Sequence, residues 1–157
     1  MTPDVISANP APAPFAIPVR IYYEDTDIAG VVYYANYLRY LERTRSDWLR
    51  AEGIELDVVQ RDLGAVFVVR RVEADYLQPA LLGNLLTVTA EPIEVGASRM
   101  TILQRVLRRE GERDTLLFTA RVTAAFVAAD LGGPVRMPRA MRDALKKALP
   151  PAITDPA

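Results

Sequence analysis

Apolar and polar residues repeat with two different periods along this chain, and the change of period separates its elements. The run Val19-Arg20-Ile21-Tyr22-Tyr23 is β-branched and aromatic, and it predicts a short strand ending in the acidic cluster Glu24-Asp25-Thr26-Asp27. Gly30 breaks that pattern. Over residues 35–52, Tyr37, Leu38, Leu41, Trp48 and Leu49 fall mainly at helical spacing, with Arg39, Glu42, Arg43, Asp47 and Arg50 in other positions. This predicts one amphipathic helix of about five turns, with Asn36 as its N-cap and Gly53 as the glycine that ends it.

Beyond that helix the period shortens to two. A connection over 56–63 carries one or two helical turns, and strands are predicted over 66–76, 85–90, 100–107 and 115–128, separated by Pro79, Gly83-Asn84, Gly96 and Gly111. The last strand is the clearest: Leu116, Phe118, Ala120, Val122, Ala124, Phe126 and Ala128 share one face. A final helix is expected over 138–149, stopped by Pro150-Pro151. Strands joined by short turns imply antiparallel pairing, and one face of the sheet needs cover that the 35–52 helix supplies. The expected class is α+β, a curved antiparallel sheet wrapped around one long helix. Prolines at 3, 10, 12 and 14 predict a disordered Ala/Pro-rich tail over 1–17, one domain over 18–149 and a C-terminal tail over 150–157.

Composition narrows the chemistry. The 157 residues, half of them hydrophobic, suffice for one core. Nineteen basic against twenty acidic residues leave a net charge of −1, which disfavours sequence-independent nucleic-acid binding. The chain has no cysteine and no histidine. Disulfides, thiol nucleophiles, Ser-His-Asp triads and the usual zinc sites are thereby excluded. No stretch approaches the roughly 20 apolar residues of a membrane span, and the N-terminus lacks a signal-peptide pattern, so a cytoplasmic location is the default expectation. Hydrolysis near neutral pH would fall to carboxylates, tyrosines, lysines or backbone N–H groups.

Glu24, Asp25 and Asp27 stand just before a helix N-terminus. Unpaired N–H groups there can receive the oxyanion of an attacked acyl carbonyl, and a nearby carboxylate can attack or activate water. The plainer reading is that these are solvated turn residues that favour a helix start, and on pattern alone both stand.

The string Tyr23-Glu24-Asp25-Thr26-Asp27-x-x-Gly30-Val31-Val32-Tyr33, followed by Asn36-Tyr37-Leu38-x-Tyr40-x-Glu42-Arg43-x-Arg45, resembles the Tol-Pal-associated acyl-CoA thioesterases of the wider 4-hydroxybenzoyl-CoA thioesterase family, which have the hotdog fold. Val68-Val69-Arg70, Asp75-Tyr76-x-x-Pro79-Ala80, Gln104 and Arg136-Met137-Pro138 extend the resemblance over about residues 18–148. It implies an acyl-CoA thioester hydrolase with Asp27 as the catalytic carboxylate, nucleophile or general base, and the backbone N–H of Tyr34 as oxyanion donor. It implies no metal or cofactor. It also implies pairing into a homodimer or homotetramer with sites at the interface, and it leaves open peripheral association with an inner-membrane envelope complex. The Tol-Pal branch usually carries histidine where this chain has Tyr34; a tyrosine is unexceptional in the 4-hydroxybenzoyl branch. Glu24 and Asp25 are expected in supporting or structural roles, paired with an arginine, and Tyr33, Tyr37 and Trp48 in packing. Arg70, Arg71, Arg105, Arg108, Arg109, Lys146 and Lys147 are candidates for coenzyme A phosphates or plain solvated charges. A hydratase of the same fold is disfavoured by the missing histidine. The rival of a different class is a non-catalytic module that binds acyl groups or a partner.

Overall fold

The computed structural model describes residues 13–151. Helix α1 (Asn36–Ala51) buries Tyr37, Tyr40, Leu41, Thr44, Trp48 and Leu49, one stripe at three- and four-residue spacing. Gly53, at φ +82°, ends it: the Gly53 N–H donates to Arg50 O and the Ile54 N–H to Leu49 O, the paired bonds of a Schellman motif. The helix begins differently from expectation. Ala35 is the N-cap, no side chain caps it, and Asn36 is the first helical residue. The Asn36 side-chain amide instead reaches the Asp25 carbonyl, 2.8 Å away.

Strands β1 (Phe15–Arg20), β2 (Ala65–Tyr76), β3 (Leu85–Val95), β4 (Arg99–Glu110) and β5 (Arg113–Ala128) form one antiparallel sheet in the order β1-β3-β4-β5-β2. Short helices α2 (Leu56–Leu63) and α3 (Arg139–Lys147) complete the layer on α1's side. The expected sheet wrapped on a helix is present, and among the described residues no helix is long and apolar enough to cross a membrane.

Three differences from the sequence reading have physical causes. First, β1 begins at Phe15, so residues 15–17, assigned to the tail, are strand; Pro18 is tolerated because β1 is an edge. The rest of both expected tails, 1–12 and 152–157, lies outside the described residues. Second, β2 and β3 are consecutive in sequence but sit at opposite sides of the sheet, so only β3-β4-β5 form a meander. Third, β3 continues through Pro92, because its pairing with β1 ends at Ala90.

Bulges shape the ends of the sheet. Between β4 and β5 the pairs Val106–Phe118 and Leu107–Leu116 leave Leu117 as the extra residue, so it is fully buried although it belongs to the other face by parity. Its carbonyl accepts the N–H groups of Leu77 and Gln78, at 2.8 and 3.1 Å, and anchors the segment that leaves β2.

Candidate active site

The acidic cluster forms one turn of 3-10 helix over Tyr23–Asp25 and then a tight hairpin. Thr26 pairs with Val32, the Asp27 N–H donates to the Val31 carbonyl at 2.9 Å, and the Gly30 N–H returns to the Asp27 carbonyl at 3.0 Å. Gly30 has φ +78°, a conformation a residue with a Cβ adopts only with strain, so the turn requires it. The hairpin is fastened to the segment after β2: the Val32 N–H donates to the Ala80 carbonyl at 2.9 Å, and Val31 pairs with Leu81.

Two carboxylates two residues apart are used in opposite ways. Asp25 is half-buried and spends both oxygens on structure: Oδ2 accepts the Tyr22 N–H and Oδ1 the Tyr40 hydroxyl, each at 2.8 Å. Its carbonyl takes the Asn36 amide and the Tyr33 N–H. The expected arginine partner is thus replaced by a tyrosine, whose burial, with the Asp25 carboxylate beside it, pushes its pKa well above the ordinary tyrosine value. Asp27 is exposed; its Oδ1 accepts the Ala29 N–H at 2.9 Å, and no ion pair claims it among the described residues. Glu24 is exposed as well.

Tyr34 lies in the turn between this hairpin and α1. Its N–H and that of Ala35 have no hydrogen-bond partner among the described residues. Tyr34 lines a 250 Å³ pocket together with Val32, Tyr37, Tyr76, Leu77, Gln78 and Pro79. Asp27 does not line that pocket. The hairpin carries Asp27 and Tyr34 in one continuous loop, but within a single protomer they do not share the cavity.

Of the tyrosines expected to pack, Tyr37 does so, stacked on Phe118 at 5.0 Å between ring centroids, while its hydroxyl accepts the Ala80 N–H. Burial raises its pKa. Tyr33 is not core: it stays on the surface against Tyr34 at 4.9 Å. Trp48 is buried as expected. Among the basic candidates, Arg108 lies at this end, with Nη1 on the Pro79 carbonyl at 3.2 Å and Nε on Glu110. Arg105 pairs with Glu91, Arg71 with Glu73, and Lys146 and Lys147 sit on α3 at the other end of the sandwich. Tyr76 and Tyr40 stand in the strings that carry the resemblance, but sequence reasoning gave them no role; their hydroxyls act on backbone or carboxylate groups many residues away.

A second groove, of 520 Å³, runs between α1 and β2 and is lined by Leu38, Leu41, Val69, Val72 and Val122 together with arginines of α1. Arg45, one of these, is mostly buried and donates to Gln104 Oε1 at 2.9 Å.

Residues 22–145 match the family model of the thioesterase-like superfamily. The chain is 36% identical over 132 residues to the acyl-CoA thioesterase YbgC of Haemophilus influenzae, covering 83% of this chain and 93% of that one. It is 36% identical over 128 residues to the acyl-CoA thioester hydrolase YbgC of Escherichia coli, covering 81% and 89%. A crystal structure of a probable thioesterase from Bartonella henselae superposes with a TM-score of 0.72 at 34% identity, over 80% of this chain and all of that one. A 4-hydroxybenzoyl-CoA thioesterase shares the fold, with a TM-score of 0.78 at 20% identity over 83% of this chain and 96% of that one. By sequence and by architecture, the chain belongs to the thioesterase-like superfamily with the hotdog fold.

Proposed function

We propose that the chain hydrolyses acyl-coenzyme A thioesters, with Asp27 as the catalytic carboxylate and the Tyr34 N–H as oxyanion donor. The observation that carries this reading is one continuous loop that holds Asp27, an exposed carboxylate outside any ion pair among the described residues, and runs on through Tyr34 into an uncapped helix start. The names of the relatives, acyl-CoA thioesterase and acyl-CoA thioester hydrolase, support the substrate class. The acyl carbonyl oxygen points at the Tyr34 N–H. Asp27 adds to the acyl carbon as nucleophile, or removes a proton from the water that does, and the electron pair of the carbonyl moves onto the oxygen, where the helix start stabilises it. Collapse of this intermediate expels the thiolate. In the nucleophilic route it leaves a mixed anhydride on Asp27 that one water then cleaves; in the general-base route that water has already added. In both, the acid and the protonated thiol leave with the Asp27 carboxylate restored.

An exposed carboxylate beside exposed N–H groups gains little over water, since such groups act strongly only where solvent is excluded. The missing wall is a second copy of the chain. Of the two sheet edges, β1 is short and carries Pro18, whereas β2 offers twelve residues with Val69 and Val72 exposed beside the α1–β2 groove. Pairing there, in a homodimer or a homotetramer of such pairs, covers that groove and encloses the site. Light scattering that finds only a 17.4 kDa species at micromolar concentration overturns this part.

The direct test is thiol release from acetyl-, butyryl-, octanoyl- and benzoyl-CoA. The protein turns over at least one of them, and Asp27→Asn removes that turnover while folding and assembly persist. Full turnover in Asp27→Asn overturns the mechanism; no turnover by the parent on any acyl-CoA favours the binding-module reading.

A further inference from the structure

The oxyanion donor proposed above, the Tyr34 N–H, sits at a helix start with no cap of its own. Ala35 offers no side-chain bond, and Tyr34 is mostly exposed, so this turn would fray in isolation. A donor that frays is not preorganised for the charge it must meet. Something else has to hold it.

The main chain does only part of this. The Asn36 N–H donates to the Tyr33 carbonyl at 2.9 Å and the Leu38 N–H to the Ala35 carbonyl at 3.2 Å. The Tyr34 carbonyl between them is claimed by no backbone donor among the described residues. Its partner comes from 42 residues away: the Tyr76 hydroxyl donates to it at 2.7 Å. That bond fixes the peptide plane that carries the Ala35 N–H and, through the shared Cα, constrains the one that carries the Tyr34 N–H.

Tyr76 is itself held firmly. It is the last residue of β2, paired with Phe118, and its ring meets Phe118 edge-on at 4.8 Å and Tyr37 at 5.3 Å. The next two residues, Leu77 and Gln78, are bonded to the bulged Leu117 carbonyl. The side chain therefore transmits the position of the sheet to the helix start. We propose that Tyr76 is a positioning residue, whose hydroxyl locks the Tyr34–Ala35 turn in place of a helix cap and so aligns the Tyr34 N–H, the oxyanion donor.

This inference rests on the hydrolytic reading of Asp27 and Tyr34, and its test separates the two. Tyr76→Phe keeps the ring and removes only the hydroxyl. With the best substrate of the acyl-CoA panel, kcat falls by about ten- to a hundredfold, as a sub-ångström misplacement produces, while KM stays within about twofold. Amide hydrogen exchange at Asn36 and Leu38, whose N–H groups bond the Tyr33 and Ala35 carbonyls of this turn, accelerates in this variant, and exchange in the interior of α1 does not. An unchanged kcat, a rise in KM alone, or exchange accelerated throughout the domain each overturns the positioning role. If the parent has no thioesterase activity, the hydrolytic reading fails by itself, and the exchange measurement still decides whether the clamp exists: unaltered exchange at Asn36 and Leu38 overturns it.

Discussion

At the end of the sandwich nearest Asp27, tyrosines tie loop backbone to the core: buried Tyr37 accepts from Ala80, buried Tyr40 donates to Asp25, and Tyr76, exposed but packed edge-on against buried Phe118, donates to Tyr34. At the opposite end, under α3, the core is Trp48, Phe126, Met100, Met137, Met141 and Leu145, joined only by apolar packing. Both ends bury comparable side chains against the same sheet and helix. The difference is that one converts packing into fixed positions for loop backbone, while the other supplies cohesion. A hydrophobic contact is non-directional and holds nothing in register, whereas a hydroxyl at 2.7–2.8 Å fixes a direction as well as a distance. The loop that carries Asp27 and Tyr34 needs directions.

The sharpest way to break this contrast is to damage each end separately. Asp27→Asn lowers kcat by about a thousandfold, within the range for a lost acid/base or nucleophilic group, and leaves the melting temperature unchanged because the residue is exposed. Leu145→Ala, at a fully buried position of α3, costs about 2–5 kcal/mol in denaturant unfolding. Its kcat, measured where the variant remains folded, equals that of the parent. If Leu145→Ala changes kcat, the two ends are not independent and the contrast fails.

Gln104 lies between the two ends and ties helix to sheet. It is fully buried on β4; its Nε2 donates to the carbonyls of Leu41 and Thr89 at 3.1 and 3.2 Å, and its Oε1 accepts from Arg45. Gln104→Leu keeps the shape but removes a side-chain donor from two carbonyls and the acceptor from a mostly buried guanidinium, and it destabilises the domain by about 1–3 kcal/mol. Equilibrium unfolding in urea measures this; a neutral result would show that water replaces the network.

How much of this was legible beforehand follows from the range of each interaction. Helix α1, its glycine stop and the inward face of β5 from Phe118 to Phe126 are local patterns, and they stand where periodicity places them. The order of strands is not local. The separation of β2 from β3 depends on which partner each finds, and alternation says nothing of partners. Leu117 illustrates a second limit, because a one-residue bulge moves it to the face that parity denies it. The acidic string pointed to Asp27 only through its resemblance to a family; charge pattern alone could not separate it from Asp25. That distinction comes from Tyr40, fifteen residues on, which occupies one oxygen of Asp25 and leaves Asp27 alone. Tyr76 was hidden for the same reason, since its acceptor is a backbone carbonyl that no sequence pattern marks.

The smallest effect tests the tethers one at a time. Tyr40→Phe removes the donor to Asp25 Oδ1, leaving that half-buried oxygen to water, and costs about 1 kcal/mol near neutral pH. The same hydroxyl governs alkaline behaviour. Its folded pKa is raised above the unfolded value of about 10 by burial and by the Asp25 carboxylate, so its contribution to stability is complete below that pH and is lost as pH rises toward the folded value. The parent therefore loses stability from about pH 10 upward, and Tyr40→Phe loses it less steeply. Tyr37 and Tyr76 are shifted in the same direction, both chiefly by burial, so the slope is reduced and not abolished. Urea unfolding at a series of pH values measures this directly. Identical alkaline slopes in parent and variant would mean that Tyr40 ionises as freely in the folded chain as in the unfolded one, and the tether to Asp25 would then hold nothing.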